Sequence, residues 1–466
     1  MTRTEVTWGA VAILAVIVGS FGWLIVGSSY PYIWALSVGL LVVAVLPFLY
    51  EAIARRIDPF APIFWTGAIF IALYAGPAIE RLVEADFSFA GIYTSVYPPD
   101  VIMAYVLVSV LIGLLCIYYG YYHIAGRRIA SRLPQFKQGW SSRRAWILIS
   151  VLTLFGGIGY LTLPGGGGPR SHLAKGSSKF SFIAVNLLIT SSILIMADIA
   201  IRHVDYANAV VRFSSPRKLL GGGILTVANI NLLWTLGGRA RSFGILVIGT
   251  FLTHYFIHRI PPVLAAGFIM LVELMGSWVA GLAGALLDLD SVGVIHALLN
   301  PYFLMESPTR PFNNIVLLFA GVPQELEFQL GATFASAFFA LVPVQPFPET
   351  QAVFNPVFNP TAGLDYGFSI TLIGELYLNF WLPGIVVGML AVGIVMRTVY
   401  EWAIIQRPTT ASIVVFCVIA NNFLLGGNFS NSAPGLGLKV LPALLALYYI
   451  AGGITLHPTS GHDQAV

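Results

Sequence analysis

Apolar residues in this chain come in blocks of about 17–25, separated by short polar breaks, and the rhythm runs nearly end to end. Twelve blocks can be marked: Trp8–Gly27, Tyr32–Tyr50, Phe60–Ala78, Val101–His123, Ala145–Leu163, Ser181–Ile201, Leu219–Leu236, Phe243–His258, Pro261–Leu286, Leu378–Tyr400, Ala411–Gly426 and Val440–Leu456. A helix rises about 1.5 Å per residue, so a block of this length crosses a hydrocarbon core of about 30 Å. Phe243–His258 is short for that and reads as tilted or partly buried in protein. One stretch breaks the rhythm, a polar connection from about Asp288 to Tyr366. At roughly 80 residues it far exceeds an ordinary loop, and such loops are usually functional. Within it, Phe328–Leu341 places Leu330, Phe334, Phe338 and Leu341 at helical spacing, which predicts an amphipathic helix lying on a membrane surface. The following "PVQPFPETQAVFNPVFNP" reads as extended, because its prolines stop a helix. Directly after the loop, Phe368–Leu390 is membrane-length and apolar yet carries a glutamate, Glu375.

Composition agrees with the pattern: 57% of the residues are apolar and 9% charged, too little charge to cover a soluble surface. The expected fold is an all-α polytopic integral membrane protein of about twelve spans. It forms a single transmembrane domain over 1–466, with a long extracytoplasmic loop at 288–366. The first block follows Arg3 without a small-residue cleavage site and reads as a retained signal anchor. Cys116 and Cys417 fall inside predicted spans and imply no disulfide framework. With the N-terminus inside, the cluster Arg127, Arg128, Arg132, Lys137, Arg143 and Arg144 is cytoplasmic. The positive-inside rule then puts both termini in the cytoplasm and the long loop outside. Nothing in this pattern points to nucleic acid.

Several basic residues nevertheless fall on the outer face, where they are normally scarce. Arg239 and Arg241 lie in "GGRARS", the turn between the seventh and eighth blocks. Arg170, His172 and Lys175 lie in the glycine-rich connection Pro164–Phe182, and Arg310 in the long loop. The planar arginine fork suits bidentate phosphate recognition, and a neighbouring glycine lets backbone amides approach an anion. The plainer alternative is headgroup contact, or ion pairs with Asp288, Asp290 or Glu306. The four glycines at 165–168 form a hinge and no P-loop, since no Gly-Lys-Ser/Thr follows. Glu375 is the leading carboxylate, its proton affinity set between burial and any nearby arginine, as a general base requires. A structural ion pair is its alternative role. Asn379 shares its helix face at i+4, with Tyr377 between them. Glu325 and Glu327 are exposed loop carboxylates, and most such residues are only solvated. Glu273 in mid-span reads as interhelical glue or a proton-coupling group, and Asn229, Asn231, Asn421 and Asn422 as glue. His254 and His258 have i, i+4 spacing but no third ligand, so no metal site is expected.

Three features together resemble the oligosaccharide repeat-unit polymerases, the O-antigen polymerase (Wzy-type) family. The first is the glycine-arginine turn, here "GGRARS". The second is a G-x-T/S-Y-like amphipathic stretch ending near a proline, here "LGATFASAFFALVPVQPFP". The third and most specific is a serine followed by G-E-x-Y-x-N-F-G-x-x-G, matched by Ser369, Gly374, Glu375, Tyr377, Asn379 and Phe380. Trp381 stands where the pattern has glycine, and an arginine common before the last span is absent near Asn428.

The resemblance implies a GT-C-like glycosyltransferase fold without metal or cofactor. The implied reaction moves a growing glycan from one polyprenyl-pyrophosphate carrier to the non-reducing end of another lipid-linked unit, in the plane of the membrane lipid. A chain-length regulator protein is an implied partner. In that chemistry Glu375 and Arg239 would be catalytic. Arg241, Arg170, His172, Lys175, Arg310, Tyr377, Asn379 and Glu327 would contact substrate. A lipid-linked glycan ligase shares the donor chemistry. A transporter or flippase is the reading from a different class, with Glu273 its best residue.

Overall fold

The computed structural model describes residues 30–53, 58, 60–84, 98–161, 179–202, 216–235, 248–249, 251–252, 254–256, 306–339, 346–348, 350–358, 370–424 and 429–455. In chain order these form α1 (Pro31–Ile53), α2 (Pro62–Phe70), α3 (Gly76–Glu84), α4 (Pro99–Tyr122), α5 (Ile124–Arg132), α6 (Ser142–Leu161), α7 (Lys179–Arg202) and α8 (Pro216–Thr235). Then come α9 (Glu306–Gly321), α10 (Ala332–Phe339), α11 (Thr350–Phe358), α12 (Thr371–Tyr400), α13 (Thr410–Leu424) and α14 (Phe429–Ala451). A π-helical turn, Ile71–Ala75, joins α2 to α3, and another, Glu401–Ile405, follows α12. Among the described residues, Pro31–Glu51, Pro62–Val83, Pro99–Tyr122 and Thr371–Ile405 are long and apolar enough to cross a membrane. Leu187–Ile201, Leu220–Ile230, Pro311–Gly321, Thr410–Ala420 and Val440–Ala451 are shorter apolar helices. The described residues are thus predominantly helical, as an all-α membrane protein requires. The blocks Trp8–Gly27 and Pro261–Leu286 lie outside the described residues.

Two compact units divide the chain. The first draws on Met1–His123, Ser277–Arg397 and Gly426–Ser432, and contains α1–α4 and α9–α11 with most of α12. Among the described residues, α4 and α12 approach closely, backbone to backbone. A Cβ on Gly120 would collide with the Leu390 carbonyl, and one on Gly393 with the Ile117 carbonyl. Each glycine therefore lets the opposite backbone close in, and van der Waals packing replaces the hydrophobic drive that lipid cannot supply.

The second unit comprises Ile124–Gly276, Thr398–Leu425 and Ala433–Val466. Here α6 and α7 run antiparallel. The buried Asp198 carboxylate accepts from Trp140 Nε1 at 2.8 Å, Ser142 Oγ at 2.6 Å and Trp146 Nε1 at 2.9 Å, while Thr153 and Ser191 hydroxyls pair at 2.6 Å farther along. Asn229 Nδ2 donates to Ser192 Oγ at 3.2 Å, the interhelical contact expected of a polar residue in an apolar helix. The basic connection after α4 is ordered: α5 is followed by Gln135–Phe136, which pairs antiparallel with Ile454–Thr455. Asp198→Asn would turn an amide N–H₂ toward one of its donors. The loss should be about 2–4 kcal/mol, seen as a lower melting temperature of the purified protein. An unchanged melt would mean that the tryptophan N–H groups find other acceptors.

Three expectations between residues 288 and 400 change in detail. The amphipathic helix begins at Ala332, because Leu330 (φ 47°) and Gly331 (φ 94°) turn the chain through left-handed backbone first. Leu330 is 81% exposed, and Thr333 and Ser336 form the buried face of α10, while Leu341 lies outside the described residues. That face meets buried polar groups on neighbouring elements, which need partners. Part of the segment expected to be extended is helical as α11 (Thr350–Phe358), with Pro356 on its exposed side. Phe354 and Phe358, one turn apart, stack at 4.6 Å and are almost completely buried, which outweighs the lost proline N–H. Finally, the tenth block starts earlier than Leu378. Its helix runs from Thr371 and is interrupted at Trp381 (φ 56°, ψ −153°).

Candidate functional site

The first ten residues of α12 hold the carboxylate that the sequence singles out. Glu375 is fully buried, and its Oε1 accepts hydrogen bonds from Thr350 Oγ1 at 2.8 Å and Thr333 Oγ1 at 3.2 Å. Asn379, one turn on, donates from Nδ2 to Thr333 Oγ1 and to the Glu375 carbonyl, both at 2.7 Å. Its Oδ1 accepts from the Gly331 N–H at 2.9 Å. The Gln329 N–H caps the Leu378 carbonyl at 2.9 Å, satisfying α12 where the helix breaks. Ser336 Oγ donates to the Thr333 carbonyl at 2.7 Å. Thus the turn 329–331, the start of α10 and the first residue of α11 all fasten onto one face of α12.

Tyr377 points to a different neighbourhood. Its ring stacks on Phe319 of α9 at 3.7 Å and 13°, with Tyr105 of α4 and Phe328 edge-on at 6.3 and 6.1 Å. Tyr105 also meets Phe319 edge-on at 5.4 Å, and its hydroxyl accepts from Trp381 Nε1 at 3.2 Å. At the other end of this half-helix, the Thr371 and Tyr74 hydroxyls pair at 2.7 Å.

Backbone strain concentrates here. Leu330, Thr371 and Trp381 are the non-glycine residues with positive φ among the described residues, at 47°, 54° and 56°. Two of them bound the half-helix of Glu375, and the third lies in the turn that Asn379 holds. Each costs about 1–3 kcal/mol, and such outliers persist where the surroundings over-determine them, most often at functional sites. Just past the break, Gly384 is required: a Cβ there would lie 2.5 Å from Phe380 Cβ and 2.7 Å from the Leu376 carbonyl.

Of the residues the sequence marks, Glu375 and Asn379 share one hydrogen-bonded cluster, and Tyr377 flanks it. Glu327 and Glu325 are exposed in the turn after α9. Arg310 lies within α9. Arg239, Arg241, Arg170, His172 and Lys175 lie outside the described residues, as do Glu273, His258 and Asn428. The sequence reading did not single out Thr333, Ser336 and Thr350. Thr333 was legible as the hydroxyl residue of the "GAT" in the G-x-T/S stretch. Thr350 carries no such signal, since its role arises only when α11 begins beside α12. The cluster offers a buried carboxylate that receives two hydroxyl donors. No protein-family model, curated protein or solved structure matches this chain.

Proposed function

We propose that this chain is a membrane glycosyltransferase that polymerises lipid-linked oligosaccharide repeat units. In this reading it has a GT-C-like arrangement of about twelve spans, with the 288–366 region on the outer face. The observation that carries it is Glu375 Oε1 accepting from two threonine hydroxyls. A carboxylate placed to receive an O–H is placed to receive an acceptor sugar's O–H and then its proton. Because Glu375 is fully buried, the acceptor hydroxyl must take the place of the Thr350 or Thr333 hydroxyl. The G-E-x-Y-x-N-F run and the "GAT" stretch support the same reading, and their residues Glu375, Asn379 and Thr333 meet in one cluster.

In the reaction, the attacking sugar oxygen forms a glycosidic bond as the bond from the donor's anomeric carbon to pyrophosphate breaks. The proton goes to Glu375, and the charge grows on the leaving pyrophosphate, where Arg239 would stabilise it. Arg241, Arg170, His172, Lys175 and Arg310 would extend that basic surface.

The test uses the purified full-length protein in nanodiscs with lipid-linked repeat units extracted from a strain lacking it. Glycans longer than one unit on the same lipid are expected. Delivery of whole glycans to a non-lipid acceptor would make the protein a ligase, and no transfer at all would overturn the reading. The sidedness is checked separately, through the exposed positions Glu325 and Arg132. A Glu325→Cys variant should react with an impermeant thiol reagent on intact cells, and an Arg132→Cys variant only after permeabilisation. The reverse pattern would invert the topology.

A further inference from the structure

We propose that Trp381 is a stacking platform for a pyranose ring of the lipid-linked glycan; this rests on the polymerase reading above. Its backbone, at φ 56° and ψ −153°, occupies a region that glycine adopts freely and a tryptophan does not. A residue needed only to turn the chain here would be glycine. A residue needed only to anchor the protein at a lipid interface could occupy any outward position of a regular helix without that cost. The indole is therefore kept at this position for what the position itself adjoins.

Two features fix how the ring is presented. Its polar edge is occupied, with Nε1 donating to the Tyr105 hydroxyl at 3.2 Å. Tyr105 in turn packs edge-on against Phe319 and Tyr377, so the acceptor of that bond is itself set in an aromatic cluster. Half of the residue's surface is open, Trp381 being 50% exposed. An oriented aromatic face carries negative charge density, and the C–H face of a pyranose is its electropositive, apolar complement. The preceding residues are those of the site: Asn379 holds Gly331 and Thr333, and the Phe380 ring lies 6.0 Å from Phe334 of α10. Trp381 would thus grip the sugar beside the unit whose hydroxyl reaches Glu375, which makes it a positioning residue.

The experiment compares Trp381→Gly, Trp381→Phe and Tyr105→Phe with the parent, in nanodiscs with the extracted lipid-linked repeat units. Trp381→Gly relieves the backbone and should melt at or above the parent temperature, while kcat/KM falls about tenfold, mostly through KM. Trp381→Phe keeps a smaller ring and should fall between the two. Tyr105→Phe frees the indole edge and should raise KM about three- to tenfold. It also decides the matter if Trp381→Gly does not fold. Parental kcat/KM in Trp381→Gly, or in Tyr105→Phe when the glycine variant is lost, would overturn the proposal and leave Trp381 as a lipid-facing residue. If the parent itself links no units, the polymerase reading fails and this inference falls with it.

Discussion

Glu375→Gln should abolish polymerisation while leaving the protein folded and at normal levels in the membrane. The substitution keeps the shape and an acceptor oxygen, so Thr333 and Thr350 can still donate to the side chain. What it removes is the capacity to take a proton from an acceptor sugar, and losing a general base costs about 10²–10⁴-fold in rate. Single lipid-linked repeat units should accumulate, visible as the disappearance of long chains on a gel. The control is Thr350→Val, which keeps the base but removes one donor. It should lower stability by about 1–3 kcal/mol, because a buried carboxylate loses a partner, while some polymer survives. Normal long chains from Glu375→Gln would exclude Glu375 as the base. Its role would then be the latch that the geometry already shows, tying α10 and α11 to α12.

Arg239→Ala should reduce turnover and binding of a lipid-pyrophosphate analogue by about ten- to a hundredfold, the equivalent of one charge-assisted hydrogen bond to a bound anion. Arg239→Lys keeps the charge but loses the planar fork, so it should already be impaired. The alanine variant of Arg241 should be milder if Arg239 is the main contact. Analogue binding by purified Arg239→Ala that matches the parent would move the pyrophosphate elsewhere, to Arg170 or Arg310. The two experiments separate the halves of the mechanism. Glu375→Gln should bind the analogue normally and fail at transfer, whereas Arg239→Ala should fail at binding.

The sequence alone determined the helical, membrane-spanning class, because apolar runs matched to a bilayer are a one-dimensional signal and the charge content leaves no soluble alternative. It also marked Glu375, since a carboxylate in an apolar run stands out without any knowledge of its neighbours, and i+4 spacing put Asn379 on its face. The tertiary structure alone decided what surrounds them. Thr333 and Thr350 lie 42 and 25 residues from Glu375 along the chain, and no local pattern links such positions. The same long-range pairing decided which face of α10 meets the protein: a buried carboxylate and amide must be hydrogen-bonded, and Thr333 meets that need. The helix in the proline-rich segment was illegible for a related reason, since burial of Phe354 and Phe358 exists only once α9 is beside them. The break near Trp381 was half legible. Pro383 and Gly384 mark a disruption, but the apolar run continues through it, and only the fold, with the half-helix tied to Tyr74 at one end and Tyr105 at the other, decides that Trp381 takes the positive φ.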